Sequence, residues 1–203
     1  MDPVVKNLSE DAGALYFTLN GVEMSFANAL RRTMLSEIPT IVIETDTYEK
    51  NQCNILINTG RLHNEILKQR LSCIPIHTTH LRDTEDQKAL PGNYQLMVDV
   101  KNDTDNIIYV TTEDFKLRDK KTGTVLSHEE QEKLFPGLFP KNVQTQSYID
   151  FARLRPKVGI EIEGEQLSLI ADFSVNIAKE SSMFNVVSKC AYGNTTKTLF
   201  KNF

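Results

Sequence analysis

The run Ser25-Phe26-Ala27-Asn28-Ala29-Leu30-Arg31-Arg32-Thr33-Met34-Leu35-Ser36-Glu37-Ile38-Pro39-Thr40 is the stretch on which the fold turns. At 100° per residue, Phe26, Ala27, Leu30, Met34 and Ile38 fall within an arc of about 120°, the apolar stripe of an amphipathic helix. Ser25 suits the N-cap, because its hydroxyl can accept from a first-turn N–H. Pro39 cannot continue a helix and ends it. Arg32, Ser25 and Ser36 lie opposite the stripe and Arg31 sits at its edge. A mid-helix arginine pair is either a solvated face or a contact to an acidic or backbone-rich partner, for which planar guanidinium groups are suited.

Outward from this helix, Leu15, Phe17 and Leu19 alternate with Tyr16 and Thr18 as a half-buried strand, and Asn20-Gly21 turns the chain. Thr40-Ile41-Val42-Ile43 is a β-branched strand. Residues 58 to 75 read as a second helix capped by Asn58 or Thr59 and stopped by Pro75. Leu62, His63, Ile66 and Leu67 share its face, and Arg70 lies within that apolar arc. A guanidinium there needs a carboxylate or carbonyl partner, on this chain or another, or snorkels from the edge. From residue 94 the chain is mostly strand. Tyr94 to Val100 and Asn106 to Thr112 flank a polar turn and read as a hairpin. Lys120 to Gly123 is a turn, and Ser127-His128-Glu129-Glu130 is a capping box that opens a short helix ending before Pro136. Val158, Ile160 and Ile162 alternate with polar neighbours. Leu167, Leu169, Ala171, Phe173, Val175 and Ile177 read as one face of a long strand. The polar or Pro-rich stretches near 80–93 and 136–147 read as exposed loops.

The chain has 203 residues, enough for one large or two small domains. With 40% hydrophobic and 25% charged residues it falls in the ordinary globular range. No run approaches 18 apolar residues, so no membrane span is expected, and the N-terminus lacks a secretory pattern, so secretion is not expected. Cys53, Cys73 and Cys190 are an odd, scattered set that suits a reducing compartment. A net charge of −4 argues against unaided gripping of nucleic acid.

Searches for chemistry return little. His63, His77 and His80 with Cys73 match no paired zinc-ligand spacing. Cys73 and His77 could imitate a nucleophile pair, which would make a small hydrolase, but the apolar run before Pro75 points to an inert, packed thiol. Phosphate-loop, dinucleotide and nucleophile-elbow motifs are absent from the sequence. Glu161 and Glu163 fall on the exposed side of a strand.

The run from Ser25 to Thr40, continued by Ile41-Val42-Ile43, resembles the signature helix of the alpha-like subunits of multi-subunit DNA-dependent RNA polymerases. These are the amino-terminal domain of bacterial alpha, its archaeal counterpart and the eukaryotic third-largest subunit. The archaeal and eukaryotic forms are the most similar. Leu67-Lys68-Gln69-Arg70-Leu71-Ser72-Cys73-Ile74-Pro75-Ile76 is similar to the family's "HRLGLIPL" segment. Gly164-Glu165-Gln166-Leu167-Ser168-Leu169, followed by Ala178-Lys179-Glu180 and Phe184, resembles a later strand and the "AKEHAKW" stretch, with Ser181 in place of its His and Phe184 in place of its Trp.

This resemblance implies an α+β fold, with a dimerisation domain of mixed sheet and helices interrupted by an inserted β-rich domain. Residues 1–43 would open the dimerisation domain, 44–193 would be the insert, and 194–203 would begin the returning segment. The family's final strand and long helix would then be absent, part of a longer polypeptide, or supplied by a partner. Phe26, Ala27, Leu30, Met34 and Ile38 would form the dimer interface with a smaller alpha-like subunit, separate or fused. Asn28, Arg31, Arg32, Arg70, Lys179 and Glu180 would contact two large catalytic subunits. Many relatives carry a cysteine-rich zinc loop or an iron–sulfur cluster; three scattered cysteines can make neither, so no metal and no cofactor is expected here, with Mg²⁺ chemistry left to the large subunits. DNA and RNA would be met only indirectly. The expected location is nucleus or cytoplasm, or a virion or viral factory if the polymerase is that of a large DNA virus. The alternative reading is a stand-alone nucleic-acid-binding regulator of transcription.

Overall fold

A computed structural model describes residues 2–77, 90–159 and 163–194. They form an α+β protein of two units. The first contains residues 2–38 and 177–194, and the second contains the described residues between 39 and 176. Inside the second unit, β3 (Thr40–Val42) pairs antiparallel with β10 (Ser174–Asn176).

In the first unit, β1 (Val4–Asp11) and β2 (Ala14–Asn20) make an antiparallel hairpin. Ala12 (φ 48°) and Gly13 (φ 77°) are both left-handed, as a two-residue hairpin turn with primed geometry requires. Periodicity misses β1 because the ladder slips between Lys6 and Ser9, where Asn7 has φ 51°. Gly21 also has positive φ (73°), and a Cβ there would sit 2.3 Å from the Asp2 carbonyl oxygen, so a side chain is excluded twice over. Helix α1 (Met24–Ser36) follows.

The second unit is built on a four-stranded antiparallel sheet in the order β4 (Cys53–Asn58), β9 (Gln166–Asp172), β5 (Tyr94–Lys101), β7 (Lys116–Asp119). A separate pair joins β6 (Ile108–Thr111) to β8 (Asp150–Leu154). Helix α2 (Asn64–Ser72) lies against β4 and β8, and α3 (His128–Leu134) against β7. The core draws on all of them: Leu67 and Leu71 from α2, Leu96 and Val98 from β5, Leu167, Leu169 and Ala171 from β9, with Phe115, Phe151 and Leu154. Phe115 meets Phe151 edge-on at 5.5 Å and Phe139 at 5.4 Å, an arrangement that adds to simple burial.

Several expectations are corrected. Residues 94–100 and 106–112 are not a hairpin: β5 pairs with β7 and β9, and β6 pairs with β8. Asn102, fully buried, causes the divergence. Its N–H donates to the Glu165 carbonyl (2.9 Å), and its Nδ2 donates to the carbonyls of Asn106 (2.8 Å) and Leu154 (3.0 Å), pinning the turn to other strands. The second helix starts at Asn64, not near 58, because Asn58 ends β4 and spends its amide on Leu62 O and Asn64 Oδ1. The buried face of α2 is Leu67, Leu71 and Ser72, while Ile66 is 42% exposed. The long strand breaks after Asp172 and resumes as β10 on a different partner, which leaves Val175 exposed. Cys73 is exposed rather than packed; Cys53 is the buried thiol, its pKa pushed up to about 11 by desolvation, with Lys68 pulling weakly the other way. Leu90, within the first expected loop, is fully buried, as is Leu138 in the second. The capping box holds: Ser127 Oγ accepts from Glu130 N–H, and the Glu130 carboxylate accepts from Ser127 N–H. Residues 80–89 and 160–162, including His80, Glu161, Ile160 and Ile162, lie outside the described residues, as do residues 195–203 of the expected returning segment.

Candidate subunit interface

Helix α1 forms because Ala27, Ala29, Leu30, Arg31, Arg32, Met34 and Leu35 are good helix formers without a β-branched run. Its N-cap is Glu23, not Ser25, and no side chain caps it; the first turn is closed by Phe26 N–H and Ala27 N–H donating to the Glu23 carbonyl. Ser25 Oγ instead reaches the Glu23 carboxylate at 3.4 Å. The last turn is better supplied. Ser36 Oγ donates to the Arg32 carbonyl (2.8 Å), Glu37 N–H to Thr33 (2.9 Å), and Lys179 N–H to Ser36 (3.0 Å). These bonds satisfy carbonyls that a helix end leaves open. The Lys179 ammonium lies 3.5 Å from the Glu37 carboxylate and close to the negative end of the helix dipole.

No residue of α1 is buried. Phe26 is 41% exposed, Leu30 38% and Ile38 36%; Ala27 and Met34 are half-buried. The stripe expected to be a dimer interface is therefore exposed at Phe26 and Leu30 and half-covered at Ala27 and Met34, and Ile38 lies beyond the helix, which ends at Ser36. The hairpin is open too: Leu15, Tyr16 and Phe17 of β2 and Val4, Val5 and Leu8 of β1 are all exposed, so of the strand expected to be half-buried only Thr18 and Leu19 are. Phe184 is the one buried residue among the described residues of this unit. Val4, Val5, Leu8 and Met24 are exposed apolar residues of this unit that escape the sequence reading; Leu8 escapes because the slip after Lys6 hides the period-2 pattern.

The residues expected to meet the large subunits divide between the units. Asn28 Oδ1 accepts from both Nε and Nη2 of Arg31 (3.1 Å each), which holds that guanidinium against the helix; Arg32 is exposed. Lys179 comes beside Arg32, Leu35, Ser36 and Glu37 around a shallow cleft of about 360 Å³, so the first and third sequence motifs meet. Glu180 N–H donates to the Ile177 carbonyl. Arg70 belongs to the second unit, is exposed, and donates from Nη2 to the Asp150 carbonyl (2.7 Å). The carbonyl partner foreseen for it is thus on this chain. Among the described residues no cluster of three or more His, Cys, Asp or Glu is placed to hold a metal, and no helix is long and apolar enough to cross a membrane.

Residues 16–185 match the family described as the RNA polymerase Rpb3/Rpb11 dimerisation domain. The DNA-directed RNA polymerase subunit Rpo3 of Thermococcus kodakarensis is 33% identical over 104 residues, 51% of this chain and 37% of that protein. The subunit rpac1 of DNA-directed RNA polymerases I and III of Dictyostelium discoideum is 30% identical over 170 residues, 77% of this chain and 44% of that protein. The human RPAC1 subunit is 37% identical over 67 residues, covering 33% and 17%. The chain spans less than half the length of these relatives. The matched region runs from β2 through α1 and the whole sheet unit to Phe184 and Asn185, and the chain belongs to the RNA polymerase Rpb3/Rpb11 dimerisation-domain family.

Proposed function

We propose that this chain is a non-catalytic assembly subunit of a DNA-directed RNA polymerase. It pairs through α1 and its hairpin with a smaller alpha-like subunit, and the pair forms the platform on which two large catalytic subunits dock. The reading assigns it no cofactor and no chemistry of its own, leaves Mg²⁺ to the large subunits, brings it to DNA and RNA only through the complex, and places it in the nucleus or cytoplasm, or a viral factory. The observation that carries the proposal is the exposure of Phe26 and Leu30 on a helix with no buried residue, continued past the helix end by exposed Ile38. A two-stranded hairpin and one helix cannot own a core, and a two-stranded hairpin alone is at best marginally stable in water. Obligate interfaces resemble a domain core cut in half, and each large apolar side chain covered contributes about 2 kcal/mol. In this reading Asn28, Arg31, Arg32, Lys179, Glu180 and Arg70 are turned to the large subunits.

The test is co-expression with the smaller alpha-like subunit from the same source. Leu30→Asp places a charge in the middle of the stripe and abolishes the heterodimer on size exclusion, while Arg32→Ala keeps the dimer and lowers recovery of the large subunits. Full heterodimer recovery with Leu30→Asp overturns the reading.

A further inference from the structure

The second unit carries a surface of which the assembly reading uses Arg70 alone. It begins at α2, where Arg70 Nη2 donates to the Asp150 carbonyl at the start of β8. Along β8, Arg153 is exposed and stands opposite Tyr109 of β6, itself 56% exposed. Arg155 follows two residues on, its side chain half-exposed while Nε holds Glu165. Arg61 closes the far end. A Cβ on the preceding Gly60 would lie 3.8 Å from the Leu154 side chain, and Arg61 is near enough to Glu165 to favour its charged form. At about 3.3 Å per residue, Asp150 to Arg155 spans about 16 Å.

Four arginines are therefore placed on or beside β8 and its ends in a chain whose net charge is −4. Of the carboxylates on the same segments, the buried Glu165 is already taken by Arg155. Arg153 and Arg61 donate no hydrogen bond or ion pair to the described residues. Ile107 (48%), Ile149 (41%) and Ile66 (42%) are exposed on the same elements or their flanks. Arginine and tyrosine set among exposed aliphatic side chains is the composition of a protein interface. Planar guanidinium groups favour carboxylates held in two-point contacts.

We propose that this edge, Arg61, Arg70, Arg153 and Arg155 with Tyr109, docks an acidic segment of another subunit of the polymerase. The proposal rests on the assembly-subunit reading and names the chemistry of one contact within it. The segment carries Asp or Glu residues for Arg61 and Arg153 and an apolar side chain for Tyr109. Charge complementarity sets its orientation and rate of docking, while the aromatic contact slows release.

The experiment uses the full chain, affinity-tagged and expressed in its natural source, with the retained complex weighed by native mass spectrometry. Arg61→Glu/Arg153→Glu places like charges against the acidic segment, and recovery of at least one large subunit falls about tenfold while the smaller alpha-like partner stays at wild-type level. Arg61→Ala/Arg153→Ala, which adds no charge and leaves the urea midpoint unchanged, lowers recovery less, by about threefold. Wild-type recovery of every subunit with both variants overturns the proposal. So does wild-type assembly combined with lost retention on single-stranded DNA, which would make the edge a phosphate-binding surface. Wild-type chain that retains no polymerase subunit at all overturns the assembly reading itself, and the proposal with it.

Discussion

Gly164→Ala puts a methyl group where no space exists. Its Cβ would stand 1.7 Å from the Asn102 carbonyl oxygen and 2.8 Å from the Asn102 carbonyl carbon. Both are backbone atoms, so no side-chain rotation relieves the clash. Opening the contact from 1.7 Å to an ordinary 3.4 Å moves the Asn102 turn by about 1.7 Å. That displacement breaks the three bonds by which Asn102 ties β5, β6, β8 and β9 together, at 2.8 to 3.0 Å. Overpacking costs about 1–3 kcal/mol, and a fully buried amide left without partners costs about 1–3 kcal/mol more. Partial relaxation brings the total to about 3 kcal/mol. With a urea slope of about 2 kcal/mol per molar, the unfolding midpoint falls by about 1.5 M. The assay is urea unfolding followed by circular dichroism. Gly92→Ala is the control, because a Cβ there meets nothing within 4 Å, and its midpoint stays within about 0.3 M of wild type. A change of less than about 1 kcal/mol for Gly164→Ala would refute the argument that this glycine is required by the close approach of Asn102.

Three further outcomes are expected. Leu71→Ala costs about 3 kcal/mol of stability and Ile66→Ala less than about 0.5, since the first is buried and the second is 42% exposed; a cost at Ile66 as large as that at Leu71 would contradict this packing of α2. Burial raises the Glu165 carboxyl's pKa, but the Arg155 N–H and guanidinium, with help from Arg61, outweigh it and hold the pKa below the usual range. Its contribution is therefore full above the unfolded value of about 4.3 and is lost as pH falls through the folded value. Glu165→Gln costs about 1 kcal/mol at neutral pH, low in the range because Arg155 is half-exposed, and the gap from wild type closes below about pH 4; a gap independent of pH contradicts this. Iodoacetamide at mildly alkaline pH modifies Cys73 in the native protein and Cys53 only after unfolding, read by peptide mass spectrometry; native labelling of Cys53 would contradict its burial.

Where local rules act alone, the sequence is a sufficient guide. The apolar period of α1, Pro39 as its limit, the Ser127 capping box and the Lys120–Gly123 turn all depend on neighbours within a few residues. Pairing partners are a different matter. Nothing between 94 and 112 distinguishes a hairpin from two strands sent to different partners, because the deciding contacts are those of Asn102 with Glu165 and Leu154. The start of α2 shifts for a related reason: the β4–β9 ladder claims Asn58, and the helix begins after His63, which caps it without a side-chain bond. At the candidate interface the stripe is legible but its exposure is not, since an amphipathic face reads the same whether its own chain or a partner covers it. The meeting of Lys179 with the end of α1 joins residues more than 140 positions apart, and no local signal in either segment encodes it.

The measurement that bears most directly on the central claim is native mass spectrometry of the tagged full chain purified gently from its natural source. The account predicts a complex containing a smaller alpha-like subunit and two large catalytic subunits, with the small partner lost first when Leu30 is replaced by Asp. A lone monomer or a simple homodimer at low salt, unchanged by Leu30→Asp, would contradict it.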